Sequence, residues 1–285
     1  MDGILIIDKE KNWTSNDVVC KVKSLCKEKV GHTGTLDPLA TGVLPLLIGK
    51  ATLLSKYLIN HDKEYIATIK FGQKTTSGDS EGDIIEEKSV DEKIFNEEFI
   101  KNKLNEFIGI QNQIPPMYSA IKVNGKKLYE YARKGEKIEI QPRKIEVYKI
   151  EFIEYSKENK TLTYKVNCSK GTYIRSLCED IAKSFNTVGL MLELNRTIVG
   201  EFRINDSIKV TELNENNINE KIIPIEVFFK NKDSIDLNND VLFKFLNGIK
   251  LEIDLKDDIY RIYNNNAFIG IGVVENKKLK RDIIL

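Results

Sequence analysis

The stretch Gly31-His32-Thr33-Gly34-Thr35-Leu36-Asp37-Pro38-Leu39-Ala40-Thr41-Gly42 sets one carboxylate, Asp37, before a proline and among residues too small to bury it as an ordinary core position. Three roles compete for Asp37. It can open a turn or cap a helix, the common use of an isolated Asp-Pro pair. The glycines can cradle a phosphate, but neither GxGxxG nor GxxxxGK[ST] occurs, which argues against a nucleotide loop. Alternatively, Asp37 is a nucleophile or base on a rigid loop.

Other side chains with chemical potential lie farther along. Arg175 falls in the first turn of a helix expected over 173–185, on the edge away from its apolar stripe, and by itself reads as a surface arginine. Tyr65 falls on the apolar face of an alternating segment, which periodicity alone assigns to the core. His32 adjoins the Asp37 stretch rather than any apolar helix face. The segment 122–149 carries nine basic and four acidic residues. A charge run is ordinarily a solvated face, but Tyr129, Tyr131 and Tyr148 interleave this one.

These groups need elements to position them. Residues 3–8 form a short apolar run expected as a buried strand. A helix follows, capped by Thr14 or Ser15, with Val18, Val19, Val22, Leu25 and Cys26 on one stripe, so that Cys20 and Cys26 both read as structural. Residues 31–49 fit neither period and read as an ordered loop. Strict alternation makes 63–71 a strand with Tyr65, Ala67, Ile69 and Phe71 on one face. Strands are expected at 143–155 and 161–168, and a helix with Ile174, Leu177, Cys178, Ile181 and Ala182 inward. Polar stretches at 205–221 and 230–239 put a domain boundary near 230. Beyond it, Asp240 to Leu246 reads as a helix with Gly248 as its C-cap, and an Asn264-Asn265-Asn266 turn joins two strands as a hairpin.

Composition sets the outer bounds. The chain has 285 residues, 41% hydrophobic and 31% charged, with 17 Gly and 6 Pro, which excludes collagenous, low-complexity and wholly disordered classes. The apolar run at Ile4–Ile7 is far short of a bilayer span, so no membrane association is expected and a cytoplasmic location is the default. Four scattered cysteines without a CxxC pair, and only two histidines, make a disulfide framework or a metal site unexpected. The net charge of +1 hides an asymmetry: 78–106 holds ten acidic and four basic residues, against the basic 122–149.

The 31–42 stretch resembles, residue for residue, the catalytic motif of the bacterial tRNA pseudouridine-55 synthases. Lys63-Glu64-Tyr65, the run from Pro115-Pro116-Met117-Tyr118 to Gly125, and Gly171-Thr172-Tyr173-Ile174-Arg175-Ser176-Leu177 also resemble that family, in its order. The resemblance covers residues 1 to about 230. There are two departures. The family opens with Asp-Lys-Pro-x-Gly-x-Thr-Ser, where this chain has Glu10 and Asn12 in place of the proline and glycine. It also usually shows Leu-Arg-Arg where this chain has Leu194-Asn195-Arg196.

The resemblance implies an α+β fold, a mixed or antiparallel sheet with helices and a central active-site cleft over residues 1–230, plus a small β-rich PUA-like RNA-binding domain over 231–285. It implies isomerisation of uridine 55 in the T-loop of tRNA, in which the base is detached from C1′, rotated and rejoined through C5. No atom is lost, so no cofactor is expected. Asp37 becomes the catalytic carboxylate, attacking covalently or removing a sugar proton, Arg175 its partner, and Tyr65 a ring packed on the target base. Tyr173 and Leu194 line the pocket, Lys122 contacts RNA, and His32 is a wedge replacing the extruded base, which offsets part of an unstacking cost of a few kcal/mol. The partner is the tRNA T-stem-loop, and no protein partner is implied. Two rival readings are a non-catalytic RNA-binding protein, which leaves the 31–42 stretch unexplained, and a related guide-RNA-dependent synthase, whose longer basic extensions are missing here.

Overall fold

The structure is a computed structural model that describes residues 2–59, 61–136 and 138–285. In chain order, the elements that matter for the site begin with β1 (Gly3–Lys9), α1 (Ser15–Cys26), β2 (Val30–His32) and β3 (Thr41–Ile48). After α2 (Ser55–Leu58) come β4 (Lys63–Phe71), β5 (Gln73–Thr75), β6 (Ile84–Glu87), α3 (Glu97–Asn105) and β7 (Gly109–Gln113). The series continues with β8 (Lys122–Val123), β9 (Lys126–Lys127), α4 (Leu128–Arg133), β10 (Arg143–Ser156), β11 (Thr161–Cys168), α5 (Ile174–Ser184) and β12 (Gly189–Val199).

A mixed sheet runs in the order β1-β3-β12-β4-β11-β10-β7. Its pairs are antiparallel except β3 with β12, where Asn195 faces Thr41 and Arg196 faces Gly42. That parallel junction brings the chain around Asp37 beside β12. Alternation in β4 works as expected: Tyr65, Ala67, Ile69 and Phe71 face the main core, with α1 and α5 packed on the same side. The helix stripe of α5 is also as read, all five apolar positions being buried.

The 31–49 stretch is mostly not a loop. β2 and β3 occupy its two ends, and only 33–40 connects them. β3 lacks a visible period because both its faces are covered: Leu44, Leu46 and Ile48 enter the main core, while Val43 and Leu47 enter a second one behind the sheet. A strand buried on both sides reads as a continuous apolar run. Pro45 is accommodated within it because the β2 pairing ends at His32, opposite Leu46, one residue short of the proline. Thr33 still donates its N–H to the Pro45 carbonyl at 3.2 Å. One further correction concerns Cys20, which is exposed on α1, whereas Cys26 is buried as expected. The helical stripe passes through Val18, Val22 and Cys26, and Cys20 lies off it.

A second, curled sheet contains Ser234–Asp236, Asp258–Asn264, Ala267–Glu275, Lys278–Ile284 and Leu251–Glu252. Asn265 and Asn266 take φ of +48° and +63°, the left-handed pair that a two-residue hairpin turn needs. This sheet has its own small core around Phe245, Ile262 and Leu279. It also sends Ile271 and Ile283 into the core behind the main sheet, against Ile4, Ile6, Val43 and Leu47. Among the described residues no helix is long and apolar enough to cross a membrane.

Candidate active site

Asp37, Tyr65, Tyr173, Arg175 and Leu194 line one cleft of about 480 Å³ above the centre of the main sheet. They come from four places in the chain: the 33–40 loop, β4, the start of α5, and β12. The sheet order brings β4 and β12 together, and α5 lays its first turn across them.

Arg175 is buried, at 6% exposure, so the surface reading of this residue is excluded. Its Nε lies 3.1 Å from Asp37 Oδ2 and its Nη2 3.4 Å from Asp37 Oδ1, a paired contact. The remaining donors reach the carbonyls of Ser77 at 3.0 Å and Tyr118 at 2.8 Å, and Nη1 lies 3.5 Å from Asp79 Oδ2. The planar fork of a guanidinium suits this work, since it aligns a carboxylate as well as neutralising it. Burial pushes the Asp37 carboxyl above the ordinary aspartate value. Arg175 and Lys9 oppose that rise, while the like charge of Asp79 adds to it. Asp79 was invisible to sequence reasoning, because nothing around Gly78-Asp79-Ser80 distinguishes it from a surface turn. It is 4% exposed and accepts from Ser77 Oγ and the Glu81 N–H.

The loop carrying Asp37 is clamped from three directions. Arg196 is 2% exposed and donates from Nε to the Val43 carbonyl at 2.8 Å and from Nη2 to the Gly34 carbonyl at 3.0 Å. Ser15 Oγ donates to the Leu36 carbonyl and accepts the Leu36 N–H. The fully buried Lys9 donates its ammonium to the carbonyls of Glu10, Trp13 and Pro38. Burial pushes that ammonium down to about 8, against the opposing pull of Asp37. Leu36, Leu39 and Ala40 add apolar anchors in the main core. Gly42, at φ +105°, must be glycine, because a Cβ there would lie 2.2 Å from the Arg196 carbonyl oxygen. A loop so fixed can hold a reacting group to the tolerance catalysis requires.

The first departure from the family pattern is absorbed locally, whereas at the second Asn195 Oδ1 is buried without a hydrogen-bond partner among the described residues. Asn12 takes φ +70°, a conformation asparagine tolerates where glycine is the usual choice, and its N–H donates to the Pro38 carbonyl. Glu10 accepts from Thr211 N and Oγ1. On β12, Leu194 and Arg196 line the cleft while Asn195, between them, does not. Alternation thus puts the second departure outside the cleft lining. The same period was the available signal for Arg196, two residues on from Leu194.

Tyr65 lies beside the Arg196 guanidinium. Burial pushes its phenol above the ordinary tyrosine value although Arg196 pulls the other way, so it is a neutral donor near pH 7. Tyr173 precedes α5, and Gln113, at the end of β7, grips its backbone reciprocally: Tyr173 N–H to Oε1 at 2.8 Å and Nε2 to the Tyr173 carbonyl at 3.0 Å. His32 and Lys122 are not brought into the cleft. His32 is half-buried in β2, with its Nδ1 lacking a hydrogen-bond partner among the described residues, and burial lowers its pKa. Lys122 is exposed on the β8–β9 hairpin, whose flanks Ser119, Ala120 and Tyr129 do line the cleft.

The family described as "TruB family pseudouridylate synthase (N terminal domain)" matches residues 22–174. The tRNA pseudouridine synthase B of Clostridium kluyveri is 43% identical, over 98% of this chain and 98% of its own. That of Caldanaerobacter subterraneus is also 43% identical, over 98% of both chains. Among solved structures, one described as an H/ACA RNP bound to a substrate RNA containing 2′-deoxyuridine superposes with a TM-score of 0.69 at 22% identity, covering 99% of this chain and 85% of that one. A Cbf5-Nop10-Gar1 complex gives a TM-score of 0.67 at 24% identity, with 99% and 83% covered. These two likenesses establish the shared fold. Matched by the family model over more than half of its length and 43% identical to curated relatives over nearly their whole length, the chain belongs to the TruB family of pseudouridylate synthases.

Proposed function

We propose that this chain converts uridine 55 in the T-loop of tRNA to pseudouridine, with Asp37 as the reacting carboxylate. The observation that carries the reading is the paired contact of Arg175 with Asp37 inside a cleft lined by Tyr65, Tyr173 and Leu194. Isomerisation breaks the bond from C1′ to N1, turns the base, and forms a bond from C1′ to C5. The proton on C5 is lost and N1 gains one, so atoms balance without an external reactant. Asp37 serves the sugar side by attacking C1′ or removing a sugar proton, and both routes need its ionised form. Arg175 and Lys9 favour that form against the effect of burial.

The uridine is extruded from the folded T-loop to reach this cleft. His32, at the cleft's margin with a neutral ring, is the wedge that fills the vacated stack, and the Lys122 hairpin contacts the RNA from the other side. Residues 231–285 add RNA-contact surface as a PUA-like unit. Incubating the protein with an unmodified tRNA transcript, without guide RNA or other protein, and mapping pseudouridine tests the proposal. Modification at uridine 55 is expected. Modification at another uridine overturns the position, and no modification overturns the activity.

A further inference from the structure

Lys63 is the first residue of β4 and lines two depressions at once, the cleft that holds Asp37 and a neighbouring one of about 340 Å³ formed with His61, Asp62, Asn167 and Gly200. Its backbone is fixed by pairing with Cys168 on β11 and Val199 on β12. The segment before it is pinned by the Gly200 N–H, which donates to the Asp62 carbonyl at 2.9 Å. The half-buried ammonium donates to the His61 carbonyl. Among the described residues no carboxylate stands at ion-pair distance from it. Asp62, its sequence neighbour, accepts instead from Tyr148 Oη at 3.2 Å. The other charged groups facing Lys63 include Arg196 on β12 and Lys170 just after β11. Asp62 acts on the ammonium without pairing with it, and Glu64, which also lines the smaller depression, accepts from Thr197 Oγ1 at 2.8 Å, so among the described residues no carboxylate pairs with this lysine.

We infer that Lys63 holds a backbone phosphate flanking the uridine delivered to Asp37. The inference rests on the proposed function, since any nucleotide whose sugar reaches Asp37 carries phosphates on both sides into the cleft mouth. A half-buried ammonium meets an anion with less water between them than an exposed lysine does, so one such contact outweighs several on a solvated face. The pH behaviour gives it a signature. Burial, with Arg196 and Lys170, lowers the free ammonium to about 8, opposed by Cys168 and Asp62. A bound phosphate favours the charged form and raises that value. Binding therefore takes up a proton above pH 8, and affinity falls there toward about tenfold per pH unit. Cys168 is pushed up to about 12 and His61 is lowered, so neither titrates between pH 7.5 and 9, and Lys9, which is also lowered to about 8, lies outside the cleft lining.

The test measures affinity for an unmodified tRNA transcript against salt and pH in full-length Asp37→Asn protein, which leaves the substrate unchanged, and adds Lys63→Met or Lys63→Arg. With methionine, Kd at pH 7.5 should rise about tenfold, the slope of log K against log salt should become shallower by about 0.7–0.9, one phosphate's worth, and the fall above pH 8 should vanish. With arginine, Kd and salt slope should stay near the parent's while the pH dependence alone is lost, because a guanidinium does not titrate there. With Asp37 intact, Lys63→Met should lower the single-turnover rate at sub-saturating enzyme about tenfold, in step with the rise in Kd. A Lys63→Met variant with unchanged slope and unchanged pH dependence overturns the contact. So does a collapse of the bound rate with the slope unchanged, which marks a structural role. If wild-type protein forms no pseudouridine in the transcript yet the slope and pH differences appear, the functional reading fails and the phosphate contact stands.

Discussion

Asp79 Oδ2 lies 3.5 Å from Nη1 of Arg175, the same guanidinium whose Nε and Nη2 hold Asp37. Two carboxylates thus share one buried cation, and their mutual repulsion contributes to the raised pKa of Asp37. Asp79→Asn removes the repulsion and loosens one side of the guanidinium. Asp37 must be ionised to react, so the single-turnover rate rises with pH through its pKa. Lowering that pKa moves the acid limb to lower pH. The plateau should fall about tenfold or more as alignment degrades. A pH–rate profile reads both effects, and an unmoved acid limb would show that Asp79 and Asp37 are uncoupled.

Asp37→Asn keeps the shape of the side chain but can neither attack nor accept a proton. Turnover should disappear while tRNA affinity stays within a small factor of wild type. Turnover above a few per cent would remove Asp37 as the reacting group.

Arg175→Lys preserves the charge and replaces the fork with a compact, more hydrated ammonium. Single-turnover rate should fall by about 10²-fold or more, with affinity changing much less. A phosphate-binding arginine would give the reverse: weaker binding, a shallower salt slope and near-normal bound chemistry. The two contacts with Asp37 and the burial of Arg175 make the first outcome the expected one.

What the sequence revealed and what it hid divide along contact distance. Alternation exposes β4, and the helical stripe exposes α5, because each pattern is written within a few residues. The Asn265-Asn266 turn is legible for the same reason. β3 was missed because burial on both faces erases the period. Asp79 takes its meaning from Arg175, far along the chain, and Arg196, which alternation from Leu194 places on the cleft face, takes its role as a clamp from the equally distant Gly34 and Val43. Lys9 is similar, since its ammonium is satisfied partly by Pro38. Neighbouring residues carry no record of such pairs.

Arg196→Met tests the loop clamp. The change leaves the buried Val43 carbonyl and the half-buried Gly34 carbonyl without their donors, a loss of roughly 1–3 kcal/mol for a fully buried group and less for the second. Destabilisation of about 2–4 kcal/mol is expected, read as a lower urea midpoint at unchanged m-value. Activity should fall in protein that is still folded, since the loop bearing Asp37 is released. A variant with wild-type midpoint would mean that the clamp contributes nothing to the fold.

Removing residues 231–285 is the simplest way to ask whether they serve only RNA contact, and the packing predicts a complication. Ile271 and Ile283 are 0% and 1% exposed and sit in one cluster with Ile4, Ile6, Val43 and Leu47 of the main sheet. Asp282 also engages Lys56 and Tyr57. Truncation at 230 uncovers that apolar back face, at about 25 cal/mol per Å² of newly exposed surface, directly behind β1 and β3, the strands that support the 33–40 loop. The fragment should therefore unfold at distinctly lower urea than the full chain and bind a hydrophobic dye. Its weaker tRNA binding then mixes lost contact with lost stability. A cleaner separation keeps the buried face and replaces exposed lysines of the second unit, such as Lys250 and Lys278, with glutamate. Those variants should keep the full-length unfolding midpoint and the single-turnover rate at saturating enzyme while Kd rises. A truncated fragment as stable as the full chain would show that the back-face cluster does not couple the two sheets, and then the truncation itself reports the RNA contribution directly.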